Sequence, residues 1–214
     1  MIFESLSIVR DELAAYIRSN GGSQTEDEVI LGNVASLEGE EGNELKNKII
    51  MSLVNVEEES TLKNVPAFER VGGNIEYRNP AVYLNVYLLF CANYQRGATP
   101  YADALKRLSH VIQFVQGKNV FTIANSPNSR TSASVAGGAE DGGVVVVEND
   151  VKEIKLILDL YTLTFEQINH LWGSLGGKQI PFVMYKGRLV KVREPKLRSS
   201  GPPVYEVHSK EDLY

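Results

Sequence analysis

The chain has 214 residues, enough for one large or two small domains, and its 43% hydrophobic and 23% charged content is ordinary for a folded globular protein. A net charge of −5 gives the chain as a whole no electrostatic reason to seek nucleic acid. The single cysteine, Cys91, closes no internal disulfide, and three histidines at these spacings complete no zinc site with it, which excludes stapled mini-proteins and zinc fingers and leaves no cofactor or metal expected.

Ile2, Leu6, Val9, Leu13 and Ile17, with Phe3 alongside, recur at helical spacing until Ser19-Asn20-Gly21-Gly22, so a helix is predicted over 2–19. Glu4, Arg10, Asp11 and Glu12 fall where a signal peptide needs an unbroken apolar run, which points to the cytoplasm. A short strand is expected at 29–31, then an irregular acidic loop over 37–43, then a strand over 48–57. Residues 61–80 show neither period and read as a long connection.

From 81 to 93 every even position is apolar, while the odd face mixes Tyr83, Asn85, Tyr87, Leu89 and Cys91, so a central strand covered on one face is predicted. This most apolar run is too short to span a bilayer. Thr99 and Pro100 open a helix whose stripe is Tyr101, Leu105, Leu108, Ile112 and Val115, ending at Gly117. A short strand over 119–123 precedes a Ser/Gly/Ala/Asn-rich stretch, 124–143, that buries too little apolar surface to order itself and reads as a mobile arm.

Strand character returns at Val144, Val145, Val146 and Val147 and again over 152–163, with Ile154, Leu156, Leu158 and Leu160 on one face. Thr164 and Gln167 form a capping box for a helix through Trp172, with Phe165, Ile168, Leu171 and Trp172 inward. Residues 182–192 are a strand with a bend or tight turn at Gly187. The economical reading is α+β: one domain over 1–193, a mixed and mostly antiparallel sheet flanked by helices with the loop 124–143, and an extended tail over 194–214.

Catalytic patterns fail at named residues. A phosphate loop needs glycine where Trp172 and Ile112 stand, five places before Gly177 and Gly117. Gly173-Ser174-Leu175-Gly176 lacks the residue a nucleophile elbow places between glycine and serine, and it follows a helix. His110, His170 and His208 do not converge, and His170 stands one turn after Glu166 as a solvent-side pair. The chain is therefore read as no enzyme, with catalytic residues none. The alternatives kept open are a small-ligand or peptide-binding module and, behind it, a hydrolase using Ser174, His170 and Asp159.

Charge is more informative. Ten acidic residues over 26–59, Glu57, Glu58 and Glu59 among them, stand against Lys46 and Lys48. Seven basic residues over 178–198, including Lys186, Arg188, Lys191 and Arg193, stand against Glu194. These are either solvated faces that neutralise each other within one chain or opposite patches that meet between subunits in a head-to-tail ring. Val144 to Val147, four β-branched residues beside a flexible arm, are either a strand of the chain's own sheet or one that adds to a partner's edge.

Three stretches resemble a known family: Tyr83-Leu-Asn-Val-Tyr-Leu-Leu-Phe90; Tyr101-Ala-Asp-Ala-Leu-Lys-Arg-Leu108 with Val111-Ile-Gln-Phe-Val-Gln-Gly-Lys-Asn-Val-Phe121; and Asn169-His-Leu-Trp-Gly-Ser-Leu-Gly-Gly-Lys-Gln-Ile-Pro181. They are similar to the cap, or tail-terminator, proteins of extracellular contractile injection systems, the phage-tail-like particles of antifeeding-prophage and virulence-cassette type. The resemblance implies a phage tail-terminator-like fold and a structural cap without catalytic residues. It also implies a homo-hexameric ring that ends tube and sheath polymerisation, with sheath and inner-tube proteins as partners. The cap would be cytoplasmic during assembly and then part of a released particle.

Overall fold

The computed structural model describes residues 2–22, 28–37, 40–62, 66–71, 74–95, 97–129, 154–176, 179–192 and 197–201. In chain order they form α1 (Ile2–Ser19), β1 (Val29–Leu31), β2 (Lys48–Glu58), β3 (Phe68–Val71), β4 (Asn74–Arg78), β5 (Val82–Asn93), α2 (Pro100–Gly117), β6 (Val120–Thr122), β7 (Lys155–Leu160), α3 (Phe165–Ser174), β8 (Phe182–Val192) and β9 (Leu197–Gly201). A short 3₁₀ turn at Val34–Ser36 precedes the expected acidic loop, and another at Glu40–Asn43 occupies part of it. Val144, Val145, Val146 and Val147 lie outside the described residues.

Six strands make one sheet in the order β1-β2-β5-β8-β7-β6, antiparallel except where β1 runs parallel to β2, which is the expected α+β architecture. The alternation of β5 decides what covers it. Val86, Leu88 and Phe90 enter a cluster with Ile8, Val9, Leu13 and Ile17 of α1 and Val111, Phe114 and Val115 of α2. Tyr87, Leu89 and Cys91 enter a second cluster with Trp172 of α3, Met184, Ile50, Val34 and Leu45. The expected one-sided strand is thus buried on both faces, because α3 and the 34–45 connection supply a second apolar layer for the odd residues. Phe90 meets Tyr185 edge-on at 5.7 Å, and Trp172 meets Phe182 likewise at 5.3 Å, geometries that add to plain burial.

Gly187 is neither a bend nor a tight turn. It lies within β8 opposite Val86 and Leu158, beside a bulge where two steps along β5, Leu84 to Val86, match three along β8, Val190 to Gly187. A Cβ there would approach Leu156 Cδ1 and Val86 Cγ2 to 2.8 Å, so glycine is needed for packing.

Two segments that read as unstructured are ordered. Within 61–80, β3 and β4 pair as a hairpin, and β9, at the start of the expected tail, pairs with β4 to complete a three-stranded antiparallel sheet. The strands are too short for a period to show, and their third member is more than a hundred residues distant in sequence. At the start of the expected arm, residues 124–129 are clasped to α1: Lys118 Nζ reaches Glu12 Oε2 at 3.2 Å and donates to Asn125 O at 2.5 Å, while the Asn128 N–H donates to Glu12 Oε1 at 2.8 Å. Ser126 and Ser129 are buried there. Residues 130–143 lie outside the described residues.

Gly187→Val should destabilise the fold by about 1–3 kcal/mol through overpacking, measured by chemical denaturation. Trp172, 4% exposed, should cost about 3–5 kcal/mol on truncation to alanine in the same assay.

Candidate functional site

The strand order brings the two charged stretches together within one chain. Glu57 and Glu58 pair with Asn85 and Leu84 on one side of β5, and Lys186 and Lys191 pair with Tyr87 and Tyr83 on the other. Two strand spacings separate the rows, about 10 Å. The gap is filled by polar contacts. The Tyr87 hydroxyl donates to Glu57 Oε2 at 2.8 Å, and the Lys186 ammonium lies 5.6 Å from the centre of the Tyr87 ring. Asn85 Nδ2 donates to Glu59 Oε2 at 2.8 Å, and the Thr61 hydroxyl and N–H donate to Glu59 Oε1 at 2.7 and 3.3 Å. Farther along, Arg188 Nε lies 2.6 Å from Asp159 Oδ2.

These contacts set the titration behaviour. The hydrogen bond from Asn85, then those from Thr61, with the charge of Lys186 adding, hold the Glu59 carboxyl down at about 2. Burial, followed by the Glu57 carboxylate, pushes the Tyr87 phenol up to about 12. Of the sequence-derived contact residues, Glu57, Glu59, Lys186, Arg188 and Lys191 therefore lie around the Tyr83–Asn85–Tyr87 face of β5, Glu58 pairs with Leu84 and alternates to the opposite face, and Arg193 lies outside the described residues.

Three exposed apolar features escaped the sequence pattern. On α2 the buried residues are Ala104, Val111, Phe114 and Val115, whereas Tyr101, Leu105 and Ile112 of the predicted stripe face outward, Tyr101 being 67% exposed. The helix carries two periodic stripes side by side, and the one with the small Ala104 approaches the sheet. Thr99 makes no side-chain cap, so Pro100 alone marks the helix start. On α3 the capping box forms as predicted, and Ile168, Leu171 and Trp172 turn inward, but Phe165 is 92% exposed. Leu160, expected on the inner face of β7, is 60% exposed because it stands at the strand's end.

The hydrolase alternative finds no geometry. Asp159 is paired with Arg188, His170 Nε2 stands 3.8 Å from Glu166 in solvent, and the Ser174 hydroxyl donates to the His170 carbonyl one turn back in its own helix. Cys91 is fully buried, and desolvation pushes its thiol far up, away from nucleophilic use. Among the described residues no group of three His, Cys, Asp or Glu side chains is placed to hold a metal, and no helix is long and apolar enough to cross a membrane. A groove of about 560 Å³ does run between β2 and α3, with Val54, Tyr87, Tyr161, Leu171 and Met184 in its walls.

Comparison with known proteins places this geometry in context. The sequence pattern of a family described as the Pvc16 N-terminal domain matches residues 6–206. Among solved structures, the sheath/tube terminator in the extended state of an extracellular contractile injection system, PVC, is similar at 12% identity with a TM-score of 0.55, covering 97% of this chain and 63% of that one. The tube-terminating cap of the anti-feeding prophage is similar at 11% identity with a TM-score of 0.55, covering 95% of this chain and 58% of that one. This chain thus spans less than two thirds of either relative, and the likeness is one of fold. No curated protein matches.

Because the Glu59 carboxyl is held below its ordinary value of 4.5, it contributes stability above that pH, and the contribution is lost as pH falls toward about 2. The stability gap between the native chain and Glu59→Gln should therefore narrow across that window, measured by denaturation midpoints in a pH series.

Proposed function

We propose, from the premise that this chain belongs to the Pvc16 N-terminal domain family, that it is a structural cap ending tube and sheath polymerisation at the distal end of a contractile injection particle. The observation that carries this reading is the fold shared over 97% of the chain with a sheath/tube terminator. In this reading the chain closes into a homo-hexameric ring, meets sheath and inner-tube proteins, assembles in the cytoplasm and leaves as part of the particle. It does so without catalysis.

Physically, such a polymer grows while each added ring presents again the surface on which it landed. A terminator binds that surface and offers a different one outward, so its task is shape and charge matching. The exposed apolar side chains on α2 and at the end of β7 suit it, since contiguous exposed apolar surface marks contact with another protein. The acidic end of β2 is one side of the subunit contact in this reading, while Lys186 and Arg188 also serve Tyr87 and Asp159 of their own chain. The groove beside α3 keeps a peptide-binding module as the second reading.

Deletion of the gene should yield particles of irregular, overgrown length when imaged by negative stain, and the purified chain should give a six-membered annulus by native mass spectrometry. Uniform, properly closed particles without this chain would refute the cap.

A further inference from the structure

Asn20-Gly21 is the one place in the chain where glycine follows asparagine. Both residues are exposed, directly after α1, and Gly21 takes the left-handed conformation, φ +85°, that closes the helix. The Asn20 N–H donates to Tyr16 O and Ile17 O, and the Gly22 N–H donates to Ile17 O at 2.9 Å, whereas the Gly21 N–H between them meets no acceptor among the described residues. A Cβ added at Gly21 would meet nothing within 4 Å, so the turn is open to solvent on that side.

We propose that Asn20 is a site of spontaneous covalent modification, converting to aspartate and isoaspartate through a cyclic imide. Hydroxide takes the proton of Gly21 N, whose electron pair then adds to Asn20 Cγ. The Cγ–Nδ2 bond breaks, and Nδ2 leaves as ammonia with a proton from water. Water next opens the imide at either carbonyl: one opening restores the ordinary peptide bond and leaves an aspartate, the other routes the main chain through the former side chain as isoaspartate. Nothing is oxidised or reduced. Glycine makes the ring closure accessible, because without a Cβ its nitrogen reaches the neighbouring carbonyl carbon at little steric cost. Against it stand two hydrogen bonds, from Asn20 Nδ2 to Tyr16 O at 2.8 Å and to Ser19 Oγ at 3.2 Å, so the reaction proceeds from the moments when this last turn opens, as helix ends do at small free-energy cost.

The position gives the change a structural effect. The carboxamide covers a terminal carbonyl of α1, whereas a carboxylate has no N–H to donate there and brings negative charge to the negative end of the helix dipole. Isoaspartate also lengthens the main chain just before Gly21, whose carbonyl accepts from Arg107 Nη2 of α2 at 3.2 Å. Arg107 in turn pairs with Glu28 at 2.9 Å, immediately before β1, and Glu28 accepts from the Tyr94 hydroxyl, immediately after β5, at 3.1 Å. One converted residue therefore loosens the junction at which α1, α2, β1 and β5 are tied together. The site is independent of the cap reading.

The test is incubation of the full-length chain in warm, mildly alkaline buffer, followed by peptide mapping with a fragmentation method that separates aspartate from isoaspartate. Conversion should be several-fold faster at Asn20 than at Asn125 or Asn128, which precede serine, should yield both products, and should accelerate as hydroxide rises. Conversion at Asn20 no faster than at those two positions overturns the proposal. Asn20→Gln, whose longer side chain does not close the same ring, should remove the modification from this peptide, and its persistence there would place the reaction on another residue and overturn the assignment. Asn20→Asp, folded as judged by circular dichroism, should melt at a lower temperature than the freshly purified native chain, and an unchanged midpoint overturns the loosening of the junction.

Discussion

The constraint on which the structure depends is the burial of β5 on both faces. Val86, Leu88 and Phe90 lie against α1 and α2, and Tyr87, Leu89 and Cys91 against α3 and the connection that follows β1. A strand committed in this way has to sit inside the sheet, hydrogen-bonded on both sides, and the partners it takes are β2 and β8. The acidic run at the end of β2 and the basic run of β8 are therefore brought alongside each other, whatever their separation in sequence. Their nearness follows from core packing rather than from attraction between charges, which at such exposed sites is weak.

Much of this was legible in local pattern. The span of α1, the capping box of α3 and the limits of β5 are short-range properties, set by periodicity, a threonine at an N-cap and the polar residues that stop a strand. What remained hidden depends on distant partners. Whether α2 presents Leu105 or Ala104 to the sheet is decided by the space above β5, and nothing within the helix records it. The role of Gly187 needs Leu156 and Val86, and β4 becomes the middle of a sheet only because β9 returns to it. Phe165 satisfied the helical pattern and still points outward, since one apolar residue at a helix start carries little weight against the placement set by Trp172.

The same division separates kinship from contact surface. The stretches that carry the family resemblance each hold interior anchors among more exposed neighbours: Leu88 and Phe90 of β5, Phe114 of α2 and Phe121 of β6, and Trp172 of α3 are buried. Packing density restricts such positions, so they retain a recognisable pattern when the surface does not. At 12% identity the solved terminator shares the scaffold, and the exposed edges have to be read from this chain's own side chains.

The clasp around Glu12 has a mechanical consequence. Lys118 and the backbone of Asn128 hold one carboxylate from two directions, at the point where the chain departs toward residue 130. Tension applied from beyond Ser129 is therefore transmitted into the middle of the first helix rather than dissipated by peeling β6 from the sheet margin. That attachment makes the interior of the subunit, instead of its rim, the element that bears a load entering from that side.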